Sequence, residues 1–355
     1  MSSSVDAAPP ASRLEVDVKR AVEAVYEQGW SDGLPGVPPT PELVEEMLAG
    51  RDPAVVLGTI PPVGGIASRE KVAAAAVMAG CRPEYFAVLE AIVKAACEPT
   101  FNLAGIQPTT HVAAPLAIVS GPIVEEIGLN SKAGVFGPGN RANATLGRAF
   151  ALVLWNLGGA RPGISDMSQF GNPARYGCVI GERRDVSSWA PLQTVNGVDA
   201  ELSAVTMVAA EAPKSVVASR DPRSILGTLA DCMRTLAAAN MHLQGQMLAI
   251  LGPEHARALD GASISRAEAQ RRLHELARRP VRDFRTVATY GDEVWRRFWP
   301  AEIDLADEDA MVPVARRPED ILLSIAGGDV GRFSVCCPGW GSGSRAVSVA
   351  IEGGS

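Results

Sequence analysis

Aromatic side chains are scarce in this 355-residue chain, at 5%, so a core of any size must be built from Ala, Val, Leu and Ile. Basic charge is in deficit as well. Against 40 Asp and Glu stand 33 Lys and Arg, a formal net charge of -7, and without a basic footprint the field that draws a protein to nucleic acid is missing. No stretch reaches the roughly 18 uninterrupted apolar residues of a membrane span. The opening MSSSVDAAPPASR has no apolar segment of signal-peptide length. The expectation is a cytoplasmic protein with neither nucleic-acid nor membrane partners. Six cysteines (Cys81, Cys97, Cys178, Cys232, Cys336, Cys337) contain no C-x-x-C pair, and His111, His242, His255 and His274 have none of the HxH, HxxxH or HExxH spacings. Reduced thiols are therefore expected, and no metal site is assigned.

What is abundant is apolar residue, at 47%, with 35 glycines and 26 prolines, the composition of a loop-rich, enzyme-like globule. Residues 1–13 read as a flexible tail and 14–355 as an α/β domain. Apolar residues at helical spacing begin at Leu14 and stop at Gly29, and Thr40 followed by Pro41 opens a second helix. A strand is expected in PAVVLGTIPP and a helix from Ser68. Tyr85, Val88, Leu89, Ile92, Val93 and Ala96 fall on one helical stripe. Val112–Val119, Tyr176–Ile180, Ala204–Ala209 and Met247–Leu251 read as strands, and Pro222–Ala238 and the segment between Ser265 and Pro280 as helices. Near the end come a strand, a glycine turn and two further strands. Helices and strands alternate, which gives an α/β class with a mixed sheet and flanking helices, as one large domain or two interwoven lobes. No internal repeat is evident. The ten arginines between Arg257 and Arg297 are interleaved with acids and read as a solvated, salt-bridged helix face.

Three stretches concentrate the residue types that chemistry needs. In KAGVFGPGNRANATLGRAF, glycines expose backbone N–H groups at the start of a helix whose positive end favours an anion. Gly137, Gly139, Asn140, Arg141 and Asn143 are the candidate anion-binding residues. The competing reading is a tight turn for close helix packing, with Arg148 pairing an internal carboxylate. GPGNRA fits G-x-G-x-x-A, but Pro138 lies inside it and no acidic residue follows at the ribose-reading distance, so binding of nicotinamide, flavin or ATP through a standard fingerprint is not expected and no cofactor is named. In SVCCPGWGSGS, adjacent cysteines on a strand point to opposite faces. One of Cys336 and Cys337 could then be a nucleophile or redox group near Trp340 if a base or positive field lowers its pKa, while buried inert cysteine is the competing reading. In FNLAGIQPTTHVAAP, Asn102, Thr109, Thr110 and His111 supply donors, acceptors and a titratable ring. His255, at a helix start, is a second proton-transfer candidate.

GWSDGLPGVPPT, VMAGCRPEY, FNLAGIQPTT, FGPGNRANATLGRA, NLGGARPG, PEHA and PGWG together resemble a bacterial family of proteins associated with the selenocysteine-Gly-Ser-Cys (UGSC) seleno- and thiol-proteins. The resemblance spans residues 20–345 and implies a seleno- or thiol-protein partner without implying a reaction. The tetrad itself is absent, its place being taken by Cys336-Cys337-Pro338-Gly339-Trp340-Gly341. The expectation is an enzyme acting on a small anionic organic substrate with help from a thiol, as a lyase, transferase or reductase, and forming a homo-oligomer. The alternative is a non-catalytic subunit of a thiol or selenol redox complex.

Overall fold

The computed structural model describes residues 13–341 and 343–352, so all of the expected N-terminal tail except Arg13 lies outside the described residues. Helices α1 (Ala21–Glu27) and α2 (Pro41–Leu48) lead to a hairpin of β1 (Val56–Ile60) and β2 (Gly65–Ser68). The first helix starts later than its periodicity suggests, because Leu14, Val16 and Val18 are exposed and have no core to enter. Next come α3 (Arg69–Ala79), α4 (Phe86–Cys97), α5 (Leu103–Ile106), β3 (Ala114–Ser120), α6 (Ile123–Glu126), α7 (Arg141–Asn156), β4 (Val179–Gly181) and β5 (Ala204–Ala210). The rest of the chain forms β6 (Lys214–Val217), α8 (Pro222–Met233), α9 (Ala239–Leu243), β7 (Met247–Leu251), α10 (Pro253–Gly261) and α11 (Arg266–Leu276). It continues through β8 (Arg278–Pro280), α12 (Val281–Val287), α13 (Asp292–Phe298), β9 (Met311–Pro313), β10 (Ile321–Ile325), β11 (Phe333–Cys337) and β12 (Val347–Ala350).

Strands that are apolar on both faces decide the layering. Ala117 and Val119 of β3 point into one core, while Leu116 and Ile118 point into another. In β7, Met247, Ala249 and Leu251 face outward and Leu248 and Ile250 inward. Two four-stranded mixed sheets, ordered β12-β5-β3-β4 and β6-β11-β7-β10, therefore meet across an inner core of Leu116, Ile118, Val208, Leu248, Ile250 and Leu322. Helices α3, α4 and α7 cover the outside of the first sheet and α8, α10 and α11 that of the second. The result is an α/β fold of four layers, helices outside and sheets within.

The two sheets repeat one another. Each has one parallel pair (β3–β4, β7–β10) and two antiparallel pairs (β3–β5 and β5–β12, β7–β11 and β11–β6). Leu116-Ala117-Ile118-Val119 corresponds to Leu248-Ala249-Ile250-Leu251 in residue type, facing and register, since Ala117 pairs with Met207 and Val179 where Ala249 pairs with Cys336 and Leu323. Ala210 and Gly339, equivalent positions of the two halves, bridge to each other, as a two-fold relation requires. The fourth strands are exchanged: β6 follows β5 yet lies in the second sheet, and β12 follows β11 yet lies in the first. Sequence reading finds no repeat because the connections between equivalent elements differ in length. Only that tetrad and the two capped helix starts, Asn140-Arg141-Ala142 and Ser265-Arg266-Ala267, keep a visible likeness.

Candidate functional site

The glycine-rich loop spends its polar groups on itself. Gly137 N donates to Gly134 O at 2.7 Å, and Gly139, at φ +110°, adopts a conformation that favours glycine. Asn140 caps α7 by accepting from Asn143 N (3.1 Å) and donates to Gly128 O (2.8 Å). Asn143, 7% exposed, accepts from Asn130 N (2.7 Å) and donates to Asn130 O (2.9 Å) and Val179 O (3.1 Å). The exposed Arg141 reaches Gly80 O at 2.9 Å. Arg148 turns to Asp32, at 2.9 and 3.2 Å, and to the carbonyls of Leu34 and Pro35, which fastens the GWSDGLPG loop to α7.

Cys336 and Cys337 point to opposite faces of β11, into the outer and inner cores respectively. Both are fully buried, and both thiols are pushed above the ordinary range, Cys336 by the neighbouring Cys232 thiol and then by loss of solvent, Cys337 by loss of solvent. His255 is buried too. Its Nδ1 accepts from Ser334 Oγ (2.7 Å), its Nε2 donates to Ala218 O (3.3 Å), and burial pushes the imidazole down toward the neutral form. Arg266 departs from the solvated arginine face: its guanidinium donates to the carbonyls of Ala190 and Pro191 and is pushed down by burial. The face is otherwise paired as expected, Glu268 with Arg271 and Arg272, and Arg279 with Asp283.

The third predicted cluster does assemble. Trp340 Nε1 donates to Thr109 Oγ1 (3.0 Å), which also accepts from His111 N (3.1 Å). Asn102 accepts from Gly105 N and donates to Gly343 O, and Gly105 lies so close to the Trp340 ring that a side chain there has no room. Ala113 N–H donates to His111 Nδ1 (3.2 Å), which leaves the neutral ring protonated on Nε2, where it donates to Glu211 Oε1 at 3.1 Å. Thr110 is exposed, and its carbonyl accepts from Gln169 N.

Gln169 belongs to the segment 157–178, which sequence reading left unassigned up to Tyr176, and that segment covers a cavity of about 620 Å³. The floor is β3 and β5 (Pro115, Ala117, Met207), one wall is α7 (Phe150, Leu154, Trp155), and the segment closes the rest. It is fixed in place by Gln169 N to Thr110 O, Asn172 Nδ2 to Val112 O and Arg175 Nη2 to Ala113 O. Arg175 also pairs with Asp166 at 2.5 Å. The segment is thus anchored on the stretch of chain that carries His111 and leads into β3.

Two cavity-lining groups, Arg175 Nε and Ser168 Oγ, are buried with no hydrogen-bond partner among the described residues. Buried donors left unpaired are costly, which marks the place where an acceptor belongs. Cys178 also lines the cavity, but burial raises its thiol to about 12, so it is protonated there at neutral pH. Arg161, stacked over Trp155 with its guanidinium carbon 3.9 Å from the ring, donates to Gly29 O and is pushed down by desolvation. The other half of the fold sets this cavity in relief. Met247 and Ala249, counterparts of Pro115 and Ala117, share one continuous core with Phe284, Trp295 and Trp299 from the segment joining α11 to β10. The corresponding segment of the first half supplies no such filling.

Among the described residues no group of three or more His, Cys, Asp and Glu is arranged to hold a metal, and no helix is long and apolar enough to cross a membrane. Compared with known proteins, the chain matches no family model and no curated protein.

Proposed function

We propose that the protein binds a small organic acid in the cavity beneath residues 157–178. The observation that carries this reading is that Ser168 and Arg175, whose Oγ and Nε are unpaired among the described residues, line a chamber of about 620 Å³. Donors without acceptors select a carboxylate or carbonyl oxygen over an amine. Phe150, Leu154 and Trp155 take the apolar body. A turnover role rests on His111, whose Nε2 proton faces Glu211 and which stands between Thr110 and Val112, whose carbonyls hold the covering segment. Thiol assistance to a substrate held in the chamber has less support, since Cys178 stays protonated and Cys336 and Cys337 open on neither side. A seleno- or thiol-protein partner remains part of the proposal only through the sequence resemblance, and a homo-oligomer only as an expectation beside it.

The test is a thermal-shift and calorimetric screen of aliphatic and aromatic carboxylic acids against their amides and alcohols. Acids should stabilise the protein, and Ser168→Ala and Arg175→Gln should each weaken binding by about 1–3 kcal/mol, the usual worth of a hydrogen bond to a charged group. Equal response to acids and alcohols, or unchanged affinity in both variants, would remove the reading.

A further inference from the structure

On the outer face of the second sheet lies a pair of thiols that the cavity does not use. Cys232 stands on the last turn of α8, partly exposed, and packs against the same outer core in which the fully buried Cys336 of β11 lies. Lys214 of β6 pairs in register with Cys336 and is exposed, and its positive charge acts on Cys232 as well. Met247 Sδ, 3.7 Å from Cys336 Sγ, closes the buried side. The arrangement is one accessible sulfur, one buried sulfur behind it, and a cation beside the accessible one. Hydrogen bonding from Cys336 and the field of Lys214 lower Cys232 to about 7, against the pull of its partial burial, whereas the other thiols with shifted values are all raised.

We propose that Cys232 and Cys336 form a thiol–disulfide exchange site for a small, carboxylate-bearing disulfide, with Cys232 attacking and Cys336 resolving. The Cys232 thiolate, its proton lost to solvent, attacks one sulfur of the substrate; a Cys232–substrate S–S bond forms as the substrate's own S–S bond breaks. The departing thiolate takes up a proton and leaves as a thiol. Cys336 then attacks Cys232 Sγ, the mixed disulfide breaks, and the second substrate half leaves carrying the proton that Cys336 gives up. The substrate disulfide is reduced by two electrons to two thiols, and the protein dithiol is oxidised to a disulfide joining α8 to β11. Lys214 supplies both the thiolate stabilisation and the attraction for the substrate's carboxylates.

The full chain, reduced and freed of reductant, is treated with glutathione disulfide at pH 7 and mapped by peptide mass spectrometry. The wild type should yield the Cys232–Cys336 disulfide, Cys336→Ser should stop at a mixed disulfide on Cys232, and Cys232→Ser should take up no glutathione at either position. Lys214→Met should slow the first step at pH 7 about threefold to tenfold, with the deficit closing as pH rises. If Cys336→Ser loosens the fold by circular dichroism, Cys336→Ala, which keeps the site apolar, takes its place in the trapping experiment. The proposal is overturned by failure to trap Cys232 in a folded Cys336 variant, by adducts appearing on other cysteines at the same rate, or by wild-type protein that accumulates the mixed disulfide without the internal bond.

Discussion

Asn143 separates two readings of the glycine-rich loop, and its removal has a calculable cost. In Asn143→Ala, three backbone groups lose their partner: Asn130 N, Asn130 O and Val179 O. The side chain is 7% exposed, so water replaces those bonds poorly. Each buried group left unsatisfied costs about 1–3 kcal/mol, and with some relaxation of the loop toward solvent the sum comes to about 3 kcal/mol. An unfolding entropy of about 2.1 cal/mol/K per residue, over 355 residues, gives roughly 0.75 kcal/mol/K, so the melting temperature should fall by about 4 °C. Asn143→Asp should fall further at neutral pH, because a carboxylate keeps the bond from Asn130 N while turning negative charge toward two carbonyl oxygens. Part of that loss should return on acidification, since the folded state raises this carboxyl's pKa and gains stability as the proton binds. Differential scanning calorimetry with sulfate and phosphate titrations measures both effects. An Asn143→Ala protein that melts like the wild type but loses tenfold in anion affinity would refute the structural reasoning and return the residue to an anion site.

Two other outcomes follow from features described above. His242, His255 and His274 are all pushed down by burial, so each binds protons more readily unfolded than folded. Their contribution is intact above about pH 6.5 and is lost as pH falls through the folded values, at up to about 1.4 kcal/mol per pH unit for each. Melting temperatures between pH 7.5 and 5 should therefore fall, and His255→Asn should flatten the slope; a melting temperature that holds steady to pH 5 would contradict the burial argument. Gly105→Ala would place a methyl 2.5 Å from Trp340 Cη2 and 2.8 Å from Asn102 Nδ2, so the ring must leave Thr109. A lower melting temperature with a red shift in tryptophan emission is expected, and unchanged emission would show that the loop yields instead.

Local signals were enough for most individual elements. Met247–Leu251 matches β7 residue for residue, and Ala204–Ala209 comes within one residue of β5, because runs buried on both faces are continuous in the sequence. Thr40 and Pro41 mark the start of α2 for the same local reason, a cap and a proline at the first position. The alternation argument also places Cys336 and Cys337 on opposite faces. Where those faces lead is another matter, since β11 has a layer on each side and both sulfurs end in packing. Cys232 drew no notice on its own helix, since the thiol and the ammonium that change its chemistry come from β11 and β6, distant in the chain. The cavity was out of sight for a similar reason. Its donors, Ser168 and Arg175, sit in a segment without periodicity, and only the opposing walls of α7 and β3 turn that segment into a chamber.

The exchange of fourth strands has a consequence for how the chain can be assembled. The outer edge of β5 stays open until Val347–Ala350 arrives from the far end of the chain, and β6 waits for β11 in the same way. Neither half can finish its own sheet, so the two do not mature one after the other as separate domains would. The two exchanges meet at the crossing where Ala210 pairs with Gly339. A chain cut within residues 218–221 would yield two pieces that each hold the other's missing edge, which makes them partners for one another rather than two independent proteins.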